Sequence, residues 1–229
     1  MSLEPKTKRR ALRLALALAC ACLITSLLPS RATAQTLTTK TLAARVDHHY
    51  NALHSLQVHF TQQYEGMGMN RREAGVLLLK KPGRMRWTYS QPAGKLFVLD
   101  GHNGYFYSPG DTTAQRVPVK ELDDLRSPLR LLLGHTKLEK ELDGLTMAPA
   151  GNGLYTLTGV PKGLEKRVSS FNITVTADGL IRSMQIDETD GVRNTFMFSN
   201  EEPNTPAPDS AFVFTPPAGV RVVSGMPPV

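Results

Sequence analysis

The sequence predicts a mainly β protein: one large antiparallel sheet accompanied by two or three helices. Three observations carry this. From about residue 57 onward apolar and polar residues alternate, as strands with one buried face require. Hairpin dipeptides punctuate the alternation: Asp100-Gly101, Asp143-Gly144, Asp178-Gly179 and Asp190-Gly191, joined by Asn103-Gly104 and Asn152-Gly153. Short connections of this kind make neighbouring strands antiparallel. Helical spacing is confined to a segment before residue 54 and to Val119–Leu133.

Residues 1–34 read as an export signal, with residues 35–229 as a single domain. Lys6, Lys8, Arg9, Arg10 and Arg13 form a positive start, Leu12 to Leu28 an apolar run, and Ala32-Thr-Ala34 a small-residue cleavage site before Gln35. Two other uses of the segment are a retained membrane anchor and lipid attachment at Cys20 or Cys22. The residues before Cys20, Ala17-Leu18-Ala19, fit the second poorly. Cleavage leaves a protein in the periplasm, without cysteine and so without a disulfide or thiolate chemistry.

The first helix is expected from a cap at Thr38 or Thr39 to about His54, with Leu42, Val46, Tyr50 and Leu53 on one stripe. The period then changes to two. Val58, Phe60 and Tyr64 share one face of the first strand. Later strands show the same pattern: Phe171, Ile173 and Val175, then Leu180, Met184 and Ile186, then Phe196 and Phe198. Val119–Leu133 breaks the alternation and predicts helix, with Pro128 opening a second short helix rich in Leu129, Leu131, Leu132 and Leu133. Proline-rich residues 201–210 predict a loop, followed by a last strand around Phe212 and Phe214.

The formal charge of +7 suggests a nucleic-acid partner, but its placement argues otherwise. Residues 1–34 hold six basic side chains against Glu4, which leaves 21 basic and 19 acidic residues in the rest. The mature chain is close to neutral, and no nucleic acid is expected. Catalytic signatures are absent: no G-x-S-x-G, no H-E-x-x-H, no phosphate-binding loop. Gly66-Met-Gly68 precedes no helix, so it fails as a dinucleotide site. His48, His49, His54 and His59 crowd together, but no two of them lie four apart on the helix, so exposed or satisfied histidines are expected rather than a metal. Asp123-Asp124 reads as a solvated helix face. No enzyme activity, cofactor or metal is expected.

Lys80-Lys-Pro-Gly-Arg-Met-Arg-Trp-Thr-Tyr89 is the most informative window. On a strand, Met85, Trp87 and Tyr89 share one face, and Arg84, Arg86 and Thr88 the other. Either this strand has one buried and one wet face, or its apolar side lines a ligand cavity. The same choice applies to the whole sheet. A single sheet of some ten strands curls, and its concave face exceeds what two or three helices can fill. It is either packed with side chains or a cavity under a helical lid.

The order Phe60-Thr-Gln62, Gly75-Val-Leu-Leu-Leu, Lys81-Pro-Gly-Arg-Met-Arg-Trp87, Pro92, Asp100-Gly101, Tyr105-Phe-Tyr107 and Phe212-x-Phe214-x-Pro-Pro-x-Gly219-Val220 resembles the LolA family of periplasmic outer-membrane lipoprotein carriers. The resemblance runs from about residue 40 to 222. It implies an incomplete antiparallel β-barrel closed by helices over a hydrophobic cavity. It implies cargo lipoproteins held by their acyl chains, taken from an inner-membrane ABC transporter and given to an outer-membrane receptor. It places Met85, Trp87, Tyr89, Leu42, Val46, Tyr50, Leu129, Leu132 and Leu133 at the cavity of a monomer. The family's lid-closing arginine before the proline corresponds to Lys81, which keeps the charge and loses the planar fork. A common aromatic corresponds to Met85. A periplasmic sensor of the same fold, or a carrier of another lipid, is the alternative reading.

Overall fold

The computed structural model describes residues 37–122 and 137–225. Thr38 caps the first helix, α1 (Thr39–Ala52): its hydroxyl accepts from Thr41 N–H, and Thr41 answers by accepting from Thr38 N–H. The stripe Leu42, Val46, Tyr50 and Leu53 is buried, as its spacing predicts. Burying such side chains contributes about 1.5–3 kcal/mol each, and this docks the helix on the sheet.

Among the described residues twelve strands follow: β1 (Ser55–Gly66), β2 (Met69–Lys80), β3 (Arg84–Gln91), β4 (Ala93–Leu99), β5 (Asn103–Tyr107), β6 (Thr113–Pro118), β7 (Leu142–Gly151), β8 (Leu154–Pro161), β9 (Val168–Thr176), β10 (Ile181–Glu188), β11 (Arg193–Pro203) and β12 (Arg221–Ser224). They form one sheet in the order β12-β6-β5-β4-β3-β2-β1-β11-β10-β9-β8-β7. All neighbours are antiparallel except β12 and β6, which run parallel. The edge strands β12 and β7 do not pair with each other, so the barrel is unclosed. The four-residue helix α2 (Leu138–Glu141) precedes β7.

The inner face and α1 share one core. Leu56, Val58, Phe60, Leu77, Leu79, Met85, Trp87 and Leu99 belong to it from one half of the sheet; Leu157, Phe171, Ile173, Met184 and Phe196 belong from the other. Gly75 permits the tightest approach in this face. A Cβ there would lie 2.2 Å from the Thr88 carbonyl oxygen and 3.0 Å from the Phe60 ring.

Several expectations are corrected. Asp143-Gly144 is not a turn: it lies within β7, where the register with β8 shifts and Gly144 takes a φ of +64°. A bulge uses the same residues as a turn because both need left-handed backbone. Asn103-Gly104 opens β5 instead of preceding it. Phe212 and Phe214 form no strand. Residues 209–212 make a 3-10 turn, and the last strand is β12. Their two-residue spacing arises because Phe212 is buried and Phe214 stacks on Tyr105 at 5.1 Å. Of Val119–Leu133, Val119–Glu121 is a single 3-10 turn. Leu129, Leu132, Leu133, Asp123 and Asp124, like residues 1–34, lie outside the described residues.

The convex side of β3 is also not simply wet. Arg84 Nη1 meets Asp209 at 2.6 Å, and Arg86 donates to the Ala211 carbonyl at 3.2 Å. The chain after β11 therefore crosses this side as a strap before pairing β12 with β6. Its start is tied down where Ser55 Oγ donates to the Thr205 carbonyl.

Candidate functional site

The alternation of β3 places Met85 and Trp87 inward, both almost fully buried, with Tyr89 half-buried beside them. Trp87 meets Phe60 edge-on at 4.6 Å and Phe196 at 5.7 Å, and its indole N–H points at the Met85 sulfur at 3.3 Å. Tyr89 meets the other edge of Phe60 at 5.1 Å. Burial, with the carboxylate of Glu73 nearby, pushes the Tyr89 phenol well above its usual value, so it is neutral. The floor under α1 is thus an aromatic and methionine cluster. Methionine packs adaptably against irregular apolar partners.

Leu42, Val46 and Tyr50 descend onto this core from α1. The helix is held at several points along β9–β11. Arg45 donates to the Ala177 carbonyl at 2.7 Å. The Tyr50 hydroxyl donates to Glu201 at 2.9 Å and accepts from the Ile181 N–H at 3.0 Å. His49 pairs with the other Glu201 oxygen at 2.6 Å. Burial and the Glu201 charge hold the Tyr50 proton firmly. Asp47 accepts from the Leu138 N–H at 3.1 Å and so links α1 to α2; burial raises its carboxyl to about 6, against the lowering effect of that hydrogen bond.

On the other side a lysine reaches the helix. Lys81, in the turn between β2 and β3, donates its ammonium to the Tyr50 carbonyl and to that of Asn51 at 3.3 Å. These carbonyls belong to the last turn of α1, where no intrahelical donor is available and the helix dipole favours a cation. Burial lowers the Lys81 pKa, so the contact holds its charge partly out of water. The contact with helix carbonyls follows the position of Lys81 before Pro82. Arg45 and Glu201 make contacts that no spacing announces, since their partners lie 132 to 152 residues away in the chain.

Among the described residues no three His, Cys, Asp or Glu side chains gather as a metal site requires. No described helix is long and apolar enough to cross a membrane.

Together these residues make an unclosed antiparallel barrel with an aromatic, methionine-containing floor under a tethered helix. The comparisons give the family. Residues 51–215 match the model of the outer membrane lipoprotein carrier protein LolA. The outer-membrane lipoprotein carrier protein of Nitrosospira multiformis is 33% identical over 153 residues, 66% of this chain and 72% of its own. That of Chromobacterium violaceum is 30% identical over 173 residues, 75% of this chain and 82% of its own. Among solved structures, an uncharacterized conserved protein from Thermus thermophilus superposes with a TM-score of 0.52 at 12% identity, over 80% of this chain and 97% of its own, a likeness of fold. The chain belongs to the LolA family of outer-membrane lipoprotein carriers, transport proteins of the periplasm that are not enzymes.

Proposed function

We propose that the protein carries lipoproteins by sheltering their acyl chains between the floor formed by Met85, Trp87 and Tyr89 and the face of α1 formed by Leu42, Val46 and Tyr50. The observation that carries this reading is the tether of α1. Its last turn is held to the β2–β3 turn through hydrogen bonds from one lysine, above a floor of adaptable side chains. Lys81 closes the helix as a lid; when the lid lifts, acyl chains replace the helix side chains on the floor. In transit the monomeric carrier accepts cargo from an inner-membrane ABC transporter and passes it to an outer-membrane receptor. The chain starts its mature life at Gln35, after removal of residues 1–34.

Energetics require both a shield and a donor. A triacylated lipoprotein carries on the order of 40 methylenes at about 0.8 kcal/mol each, so unaided passage through water costs tens of kcal/mol. Non-covalent affinity saturates near about 20 kcal/mol. The pocket offsets only part of the cost, and a membrane machine must load it.

Native mass spectrometry of protein from the periplasm, followed by lipid extraction, tests the proposal. A one-to-one complex with a triacylated protein, transferable to outer-membrane vesicles, is expected. Copurification with phospholipid alone and no transfer would favour the sensor or another cargo. The same spectra read the mature N-terminus directly.

A further inference from the structure

The inner face changes character one rung beyond Phe60 and Trp87, toward the β1–β2 turn. Leu79, Leu77 and Gly75 of β2 continue on the same face to Glu73 and Arg71. On β4, Leu99 and Phe97 continue to Lys95. Glu73 is buried, 4% exposed, on an otherwise apolar wall. Its two oxygens accept from the Lys95 ammonium at 2.7 and 2.6 Å, and Arg71 Nε stands 3.3 Å away.

This cluster is more than a closed ion pair. Two cations meet one carboxylate, so the rung carries a net positive charge. Lys95 also lies over the Tyr89 ring, 4.6 Å from its centre, which ties the rung to the floor described above. Arg71 packs its guanidinium 5.2 Å from the Tyr64 ring and leaves half of its side chain exposed. The terminal nitrogens of Arg71 meet no acceptor among the described residues. A guanidinium aligned by a ring and a buried carboxylate, with its fork unused, is prepared to take a pair of acceptor oxygens. A buried ion pair is also a weak source of stability, because well-packed apolar residues of similar volume often do as well.

We propose that Arg71 and Lys95, aligned by Glu73, form a subsite for the anionic head, carboxylate or phosphate, of an acyl lipid whose chain lies along Phe60 and Trp87. The subsite rests on the acyl-chain reading of the floor and adds a ligand class to it: free amphiphiles bearing a negative head, in addition to lipoprotein acyl chains. Glu73 acts as a positioning residue, since its own charge would repel the ligand and its contacts fix both cations.

The test uses the mature protein and displacement of the neutral fluorescent probe N-phenyl-1-naphthylamine by decanoate, decyl phosphate and decanol, in low salt. Both anions are expected to bind about tenfold or more tightly than decanol, a difference of about 1.4 kcal/mol. The preference should shrink on adding salt. Arg71→Gln, at an exposed position, should bring the three ligands within about twofold while leaving decanol unchanged; Arg71→Lys should restore part of the gap. Comparing decanoate with decyl phosphate separates a fatty-acid head from a phospholipid-like one. Inorganic phosphate alone should not displace the probe; if it does, the head binds without a chain and the proposal fails. Equal affinity of anions and decanol, or a preference that survives Arg71→Gln, overturns the subsite and leaves the apolar floor standing. Absence of binding by all three overturns both.

Discussion

Replacing Lys81 by methionine isolates the proposed latch, because methionine keeps the unbranched stem and removes the charge. Two hydrogen bonds from the ammonium to the Tyr50 and Asn51 carbonyls disappear. A hydrogen bond from a charged group contributes about 1.5–3 kcal/mol, and the pair here is discounted because Lys81 remains partly in water and is relieved of its desolvation on substitution. A net loss of about 1.5–2.5 kcal/mol for the closed helix follows, or a roughly 10- to 70-fold rise in the open population. Hydrogen exchange reads this directly. Amides in the last two turns of α1 should exchange faster by that factor, whereas those of β9 and β10 keep their protection. Lys81→Arg should behave as the wild type, since a guanidinium can reach the same carbonyls. Unchanged exchange in α1 would refute the latch. Equal acceleration throughout the sheet would show Lys81 to be a general stability residue instead.

Three further outcomes test the packing beneath the helix. Trp87→Ala should cost about 3–5 kcal/mol in urea unfolding, since the ring is enclosed by Phe60, Phe196 and Met85; a cost below about 1 kcal/mol would mean it faces a standing void. Gly75→Ala should destabilise by about 1–3 kcal/mol, because its Cβ would lie 2.2 Å from the Thr88 oxygen and 2.8 Å from the Tyr89 Cα; a neutral result would show that β3 moves aside freely. For Asp47 the folded carboxyl titrates at about 6, above its ordinary value of 3.8, so its contribution to stability is complete below about pH 4 and fades as pH rises through 6. Asp47→Asn should therefore melt higher than the wild type at pH 7.5 and close to it at pH 4, its amide oxygen still accepting from Leu138; an identical difference at both pH values would contradict this.

The parts of the fold that were legible in the sequence are those whose cause is local. The α1 stripe and its Thr38 cap lie within one helix, and β3 shows its two faces in six residues. The strap was not legible because its reason is tertiary. Phe212 fills the convex side of a sheet that lies far earlier in the chain, and a proline-rich run has no period to reveal that. The same distinction holds in the site. Met85 and Trp87 could be placed on the inner face from alternation alone, and resemblance directed attention to Lys81. Glu201, which fastens both His49 and Tyr50, and Glu73, which gathers Lys95 and Arg71, resemble ordinary surface acids in the sequence; only folding brings their partners to them.

The attachments of α1 differ in kind on its two sides, and this bears on how a carrier can both hold and release cargo. Toward β9–β11 the helix is fastened by a buried tyrosine bonded to Glu201 and Ile181, and by Arg45 on Ala177. Breaking the Tyr50 bonds would strand buried polar groups, each at a cost of about 1–3 kcal/mol, whereas the Arg45 bond lies at the surface. Toward the β2–β3 turn the ammonium of Lys81 can exchange helix carbonyls for water with less penalty, since it is already partly hydrated. On the lid reading proposed above, a force or a competing ligand lifts the Lys81 side first, and the helix swings on its β9–β11 side. In that proposal a latch worth a few kcal/mol keeps the apolar floor covered in the empty protein, yet lies well within the free energy released when acyl chains enter or leave. A latch strengthened to the level of the opposite side would, on the same reading, trap the helix over the floor, and its removal would raise the fraction of time the floor meets water.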